Sequence, residues 1–421
     1  MPATHRPSSA RRQRAHRRFV QALWRAFIGP PADIEPGAAD APEEPDRAER
    51  RQRNLVFGAI NVAYLALLAA VLLANRAGPE LWSLAALNLY LPQWYWAVPG
   101  GLLLLVDALW ARIWSWAPLV GGLLVVGPLM GYCWGWGAGA PIPGATPVRV
   151  VTYNIHAGAL MPLAIEELGR LHPDIILLQE SGPTPWTRDA RVRFPDWHTA
   201  GPRGGLFVAS RFPILQWRAR EIPVVGGVRT FLWCQLRVDG VPVSVYNVHL
   251  PTPREGLQPL LEDGTAASGI WRLSTNDRLA HAALLARELA RDHGPRIVGG
   301  DMNAPPSSMV LRYLTQTGLS DAFSLAGVGY GYTYGHRLSR GYAFVRIDHL
   351  LASDHWLVSS ASVGGGQGSD HRPVAADLYL ARGRSPGRFE REPGRRAWEL
   401  TQPVEEDQEG SSNGTASRRA R

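Results

Sequence analysis

From Asn54 to Ala74 the chain reads NLVFGAINVAYLALLAAVLLA, without one charged side chain. That is about the twenty residues an α-helix needs to cross a bilayer core, so this segment is expected to span a membrane. Two more apolar stretches follow, roughly Trp94 to Trp110 and roughly Ala117 to Trp134, on either side of ARIWSW. A break so short, carrying Arg112, suits a tight turn between antiparallel spans. Pro99, Gly100, Gly101, Gly121 and Gly122 are tolerated in membrane helices, and the glycines let neighbouring helices approach. Trp82, Trp94, Trp96, Trp110, Trp114, Trp116, Trp134 and Trp136 fall near the expected ends, as an aromatic interface belt would. Leu81 to Leu91 is too short to span and is expected at the surface. Asp107, the one acid inside a span, is expected to face the interface or Arg112 rather than a proton path.

Basic residues set the orientation. Arg47, Arg50, Arg51 and Arg53 precede the first span and Arg112 lies between the second and third, so both belong on the cytoplasmic side, with Arg76 the lone exception. Three spans then place the rest of the chain outside the cytoplasm. Composition divides the 421 residues in the same way. Residues 1–53 are expected to be an Arg-rich, disordered cytoplasmic tail, 54–136 the membrane region, 137–147 a linker, 148–381 a catalytic domain and 382–421 a second disordered tail. Phe19 to Ile28 has the pattern of a short amphipathic helix, within a tail expected to be solvated. The flexible Gly/Pro-rich run GWGAGAPIPGATP reaches only about 20 Å, which keeps the domain close to the bilayer.

The formal net charge of +8 is carried by arginine, because the sequence has no lysine. This excludes a lysine Schiff base and a Walker-type phosphate loop, both of which need the amine. Many arginines lie in the tails, so the basic balance says little about nucleic acid. Two cysteines, Cys133 and Cys234, can form neither a disulfide framework nor a four-thiolate zinc site. Both are expected as buried small hydrophobes.

From Val148 to about Leu380 the pattern is mixed α/β. VRVVTYNI, DIILLQE, GGLFVAS, FLWCQLRV, VPVSVYNVHL, PRIVGGD, VRIDHLLAS and PVAADLYL read as strands, and Leu160 to Leu171, Asn276 to Asp292 and Ser307 to Thr317 as helices. Helices are fewer than strands, and VDGV at 238–241 carries the Asp-Gly hairpin dipeptide. The expected fold is two packed, mainly antiparallel sheets with helices outside.

Six of the strand ends carry short polar side chains. RIVGGDMNAPP presents Asp301 and Asn303, one residue apart and so on one side of an extended backbone. VTYNIH ends in Asn154, DIILLQE in Glu180, VSVYNVHL in Asn247 and His249, VRIDHLL opens on Asp348, and GSDHRPV offers Asp370 and His371. Their convergence would make a metal-dependent phosphoester hydrolase. A hard cation such as Mg²⁺ takes oxygen ligands, usually one or two protein carboxylates with water and phosphate completing the shell. Glu180 ends an apolar run where an acid would otherwise be costly, which makes it the first choice as ligand. Asn154 offers a neutral amide to the ion's hydration shell or a phosphate oxygen. Asp301 suits activation of the attacking water and Asn303 its orientation. His249 and His371 suit donation to phosphoryl oxygens, and Asp348 suits fixing an imidazole tautomer.

TYNI, LLQE, NVHL, GGDMNA, RIDHLL and SDHRPV, in this order over Val148 to about Leu380, resemble the endonuclease/exonuclease/phosphatase superfamily, the DNase I-like enzymes. The resemblance implies a four-layered α/β sandwich and Mg²⁺-dependent attack of water on a phosphate ester, with Mn²⁺ as the alternative ion. It implies Asn154, Glu180 and Asp370 at the metal, His249 and Asn303 at the phosphate, Asp301 at the water, and Asp348 with His371 as an Asp-His pair. Abasic-site nucleases of the superfamily often have an acid two positions after the first Asn, where this chain has His156, which argues against a DNA-repair role. Membrane helices ahead of the domain are similar to a bacterial subgroup that includes teicoplanin-resistance proteins, and imply a lipid-linked phosphate or pyrophosphate as substrate.

Less specific expectations concern Pro251 to Thr275, read as a loop able to dip toward the bilayer or simply a surface loop, Arg278 on a solvated helix face, and Tyr332 as a stacking platform. The resulting expectation is a membrane-anchored phosphoesterase acting outside the cytoplasm. The alternatives are a nuclease acting there on DNA or RNA, and a binding module that has lost turnover.

Overall fold

The computed structural model describes residues 45–381, apart from 144, 159, 184–185, 202–204, 225–226, 264–267 and 337–340. The second tail and most of the first, with the segment Phe19 to Ile28, lie outside the described residues. Residues 45–53, expected in the tail, instead begin helix α1 (Pro45–Ala77), which carries the uncharged run. A short helix α2 (Ser83–Asn88) lies in the connector to α3 (Ala97–Trp110), and α4 (Trp116–Leu124) follows the turn at Arg112. At Pro128, which lacks an N–H, α4 loosens into a π-turn over Val125–Leu129. Among the described residues, two helical segments are long and apolar enough to cross a membrane, Arg47–Ala77 and Arg112–Leu129. The 14 residues of α3 extend only about 21 Å, short of the roughly 30 Å core.

The helices meet through small residues. A Cβ on Gly100 or Gly121 would fall within 2.5 Å of the Tyr64 ring or hydroxyl, whereas Gly101 and Gly122 face open space. Asp107 does not face the interface or Arg112. It is fully buried and accepts a hydrogen bond from Asn61 Nδ2 at 2.8 Å. Large apolar side chains such as Leu67, Leu73, Leu102, Leu105, Leu109 and Leu123 point outward.

A two-residue strand β1 (Cys133–Trp134) ends this region. The globular part contributes β2 (Val148–Asn154), α5 (Met161–Leu171), β3 (Ile175–Gln179), α6 (Arg188–Arg193), β4 (His198–Ala200), β5 (Phe207–Ser210), β6 (Ile214–Val224), β7 (Gly227–Val238) and β8 (Val241–His249). It continues with α7 (Arg254–Asp263), α8 (Ser268–Arg291), β9 (Arg296–Asp301), α9 (Met309–Thr315), β10 (Leu319–Asp321), α10 (Ala322–Ala326), β11 (Val328–Gly329), β12 (Asp348–Ser353), β13 (Trp356–Val363) and β14 (Val374–Leu380). The strands form two six-stranded sheets, ordered β13-β14-β2-β3-β5-β4 and β10-β12-β9-β8-β7-β6. Each has one parallel pair at its centre, β2 with β3 and β8 with β9, among antiparallel neighbours. The β7–β8 hairpin turns through Asp239 and Gly240, both at positive φ.

Three apolar cores define the four layers. One, with Val150, Leu177, Val208, Cys234, Val245 and Ile297, fills the space between the sheets. Another packs α8 and α9 on the second sheet through Leu279, Leu285, Leu289 and Leu311, and the third packs α5 on the first through Ala164, Ile165 and Leu168. The expected sandwich is therefore present. Cys234 is buried, but Cys133 is only partly so.

The globular domain is not loosely tethered. Within the expected flexible linker, Gly137 N donates to Leu325 O at 2.9 Å and Gly139 N to Val358 O at 2.8 Å. β1 pairs with β11. The connector between α1 and α3 docks on the same side: both carboxylate oxygens of buried Glu80 accept from Met309 N at 3.0 Å, at the start of α9, where a negative charge complements the helix dipole. Arg312 donates to Arg76 O at 2.9 Å.

Candidate active site

The two parallel pairs deliver the polar residues to one end of the sandwich. Asn154 is the last residue of β2, His249 the last of β8 and Asp301 the last of β9, with His249 beside Asp301 in the parallel register. Asp348 opens β12 opposite Asp301 in the antiparallel register. Glu180 follows β3, and His371 precedes β14. All the expected site residues gather here, most of them lining a cleft of about 330 Å³ that includes Glu180, His249, Asp301, Asn303, Asp370 and His371.

Their side chains form one network. Asn154 Nδ2 donates to Glu180 Oε1 and to Asp301 Oδ2, each at 3.0 Å, while its Oδ1 accepts from His156 N at 3.1 Å. Asp301 Oδ1 accepts from Asn303 N at 2.9 Å, and Asn303 Nδ2 donates to Leu250 O at 2.9 Å. His249 Nε2 lies 3.6 Å from Asp301 Oδ2 and 3.9 Å from Glu180 Oε1. His371 Nδ1 lies 2.9 Å from Asp348 Oδ2, and its Nε2 3.7 Å from Asp301 Oδ2. Asp370 lies 3.2 Å from His156 Nδ1. His156, Glu180 and Asn303 all have positive φ, near +48°, a left-handed conformation that costs a non-glycine residue roughly 1–3 kcal/mol and clusters at functional sites.

Burial raises the Asp301 pKa, against the lowering influence of His371 and His249 and with Asp348 adding to it. For His371, burial opposes the charged ring, but Asp348, Asp301 and Asp370 outweigh it and lift the pKa to about 10. The ring is thus an imidazolium at neutral pH, with Nδ1–H donating to Asp348. The site is rich in hard donors. Glu180, Asp301 and Asp370 offer carboxylates to one cleft, and buried Asp348 Oδ1 has no hydrogen-bond partner among the described residues. This oxygen-rich set fits a hard divalent cation. Asn154, expected as a ligand, engages both ends of its amide within the network and holds two carboxylates together.

Several features were not expected from the sequence. Tyr90, from the connector between α1 and α3, lines the cleft. Its hydroxyl donates to Asn303 O at 3.1 Å and accepts from Arg278, whose guanidinium lies 5.2 Å from the ring centroid. Arg278 is 2% exposed, so it does not lie on a solvated face. Burial pushes the Tyr90 phenol up to about 12, so it remains a donor. Pro251 to Thr275 is largely helical, in α7 and the start of α8, and Trp271 is buried rather than free to dip into a bilayer. Arg254 reaches across the cleft to the Tyr334 hydroxyl, and Tyr334 packs 4.8 Å from the His371 ring. Tyr332 is no open platform: it stacks on Tyr330 and donates to Met130 O at 3.1 Å. Asn247 ties the sheets together, donating to Leu178 O and Phe207 O at 2.8 and 2.9 Å and accepting from Gln179 at 2.7 Å.

A sandwich with carboxylates, imidazoles and amides at the ends of its central strands defines a metal-dependent hydrolase of phosphate esters. The Endonuclease/Exonuclease/phosphatase family model matches residues 151–371, and the chain belongs to that family. No curated protein matches the chain. Among solved structures, a Bacteroides vulgatus endonuclease/exonuclease/phosphatase is 20% identical, with TM-score 0.44, over 56% of this chain and 99% of that one. The mannosyl-6-phosphatase of Bacteroides thetaiotaomicron VPI-5482 is 17% identical, with TM-score 0.42, over 55% and 99%. The family protein of Beutenbergia cavernae is 20% identical, with TM-score 0.39, over 56% and 72%.

Proposed function

We propose that this chain is a membrane-anchored, Mg²⁺-dependent phosphoesterase that hydrolyses a lipid-linked phosphate or pyrophosphate at the outer face of the membrane. The observation that carries the reading is Tyr90: the connector between two apolar helices forms part of the catalytic cleft. The outward-facing leucines of α1, α3 and α4 form a surface that water would penalise and lipid would not. Topology is supported by which ends of the helices meet. The turn after Arg112 touches the basic end of α1, where Trp114 Nε1 donates to Asn54 O at 2.8 Å. Arg76, the connector and Met130 touch the globular domain. With α3, prolonged by the helical turns Gln93–Trp96 and Arg112–Trp114, as a third span, the basic turn and the catalytic domain would fall on opposite faces, and the positive-inside rule would put the domain outside.

In this reading Glu180 and Asp370 would hold the cation, with Asn154 fixing Glu180 relative to Asp301. When bound, the cation would polarise a phosphoryl oxygen and offset the charge that develops on the phosphate. Asp301, made more basic by burial, accepts the proton of the attacking water. His249 and Asn303 hold phosphate oxygens, and the His371 imidazolium, oriented by Asp348, donates to the oxygen that gains charge. The test is Mg²⁺-dependent hydrolysis by full-length protein and by Glu180→Ala, on a prenyl pyrophosphate and on plasmid DNA. Phosphate release from the lipid alone, lost in the variant, is the expected result. Nicking of DNA alone would refute the lipid reading.

A further inference from the structure

A second cavity, of about 620 Å³, lies where the apolar helices meet the catalytic domain. Its membrane-side wall consists of Leu72 near the end of α1, Leu89 and Leu91 of the connector, and Leu129 and Met130 where the last apolar segment ends. The opposite wall includes Leu311 and Thr315 of α9. Polar groups line it as well, among them Asn75, Arg76 and Gln93; of the charged ones, Arg346 pairs with Asp321 at 2.6 Å and Arg312 donates to Arg76 O.

This cavity adjoins the catalytic cleft. Phe344 and Val345 line both spaces. The connector also borders both, with Tyr90 lining the cleft and its two sequence neighbours, Leu89 and Leu91, lining the cavity. A largely apolar space thus lies between the ends of the apolar helices and the back of the site that would hold a phosphate.

We propose that the junction cavity receives the hydrocarbon chain of a single-chain lipid phosphate whose phosphoryl group occupies the cleft. The assignment rests on the phosphoesterase reading above. Lifting a lipid headgroup to a cleft above the bilayer draws its first methylenes into water, which is unfavourable in proportion to the apolar area exposed. A leucine-lined cavity continuous with the spans removes that cost, because hydrocarbon is as well solvated there as in the bilayer. The volume is that of a single small-ligand site, about 300–1,000 Å³, which suits one chain rather than two.

The experiment measures kcat/KM of full-length protein in mixed micelles. The substrates are prenyl phosphates of short and long chain, a diacyl phosphate, and a soluble aryl phosphate. Leu91→Trp and Thr315→Trp fill the cavity from opposite walls. The wild type is expected to prefer the long single chain, and each variant to lower the long-over-short preference about tenfold or more. Photocrosslinking with a diazirine-bearing prenyl phosphate is expected to label the peptides around Leu89 to Leu91 or Leu311 to Thr315. An unchanged preference in both variants, a diacyl phosphate cleaved as well as the single chain, or adducts confined to other peptides would overturn the assignment while leaving lipid phosphate as substrate. Cleavage of the aryl phosphate without any lipid would overturn the substrate reading and the cavity assignment together.

Discussion

Tyr90→Phe removes one oxygen atom from the contact that joins the connector between α1 and α3 to the Asn303 loop. The ring and its packing on Arg278 remain, so the cation–π contact at 5.2 Å is kept. Two hydrogen bonds are lost: one to the Asn303 carbonyl at 3.1 Å, and one from Arg278, which is 2% exposed and cannot turn to water. A neutral bond contributes about 1 kcal/mol net, and one to a charged group about 1.5–3 kcal/mol. Together the change costs about 2.5–4 kcal/mol of connector docking. Asn303 sits at φ +47°, a conformation that persists only while its surroundings impose it. If about 1.4–2.8 kcal/mol of the loss falls on the geometry of that loop, kcat drops about 10- to 100-fold. The assay is steady-state hydrolysis of a prenyl phosphate by the detergent-purified variant, beside its thermal unfolding. Wild-type kcat with a wild-type melting temperature would refute the argument that Tyr90 supports the Asn303 loop.

Three further outcomes follow from the geometry. Asp348→Asn removes the partner of His371 Nδ1, so kcat should fall about 100-fold or more, and the His371 pKa, followed by NMR in metal-free protein, should move down from about 10; an unmoved pKa would show that Asp348 does not hold the charge. Gly300→Ala, at φ +152° with its Cβ placed 1.8 Å from Val248 O, should destabilise by about 3 kcal/mol or more in urea unfolding, and wild-type stability would show that the β8–β9 pair can shift to accept it. Asp321 is buried, which opposes ionisation, yet Arg346 and His349, each at 2.6 Å, hold its pKa well below the usual carboxylate range. Because the folded pKa is depressed, its contribution is present above the unfolded value of about 3.9 and is lost as pH falls below it. Asp321→Asn should therefore flatten the loss of stability below about pH 4, and an unaltered acid profile would contradict that assignment.

The strands that could be read from the sequence are those the sheets enclose. The eight expected runs became β2, β3, β5, β7, β8, β9, β12 and β14, which are the inner strands of the two six-stranded sheets; the other strands of those sheets, β4, β6, β10 and β13, are their edges and were not expected, nor was the separate pair β1 and β11. An inner strand has to match two neighbours and a core, so its apolar pattern is strong. An edge strand such as β6 exposes Leu215, Trp217 and Arg218 alike, and alternation disappears. The site residues were legible for a related reason. A polar side chain directly after a buried apolar strand is costly unless it has a task, and Asn154, Glu180, His249 and Asp301 all occupy that position. The same reasoning placed Asn247 beside His249, yet its amide is consumed in bridging the sheets.

What the sequence concealed is the contribution of distant segments. Nothing local to LNLYLPQ marks Tyr90, 213 positions from Asn303, as a neighbour of the catalytic loop, and Glu80 is 229 positions from the helix it caps. Arg278 looked solvated because its own helix is rich in arginine, and only the connector packed over it makes it a buried one. These three residues form a single arrangement: Glu80 holds the connector on α9, Arg278 holds Tyr90, and Tyr90 holds Asn303. Each link is polar and at least partly buried, so each is expensive to leave half made. A domain that only needed an anchor would require none of them, since a flexible tether would serve. The same seam also docks the segment that a flexible linker would have occupied, through Gly137 and Gly139. Docking of the connector at the Asn303 loop fixes the apolar helices relative to the site, and it is on this arrangement that the membrane-anchored reading proposed above rests.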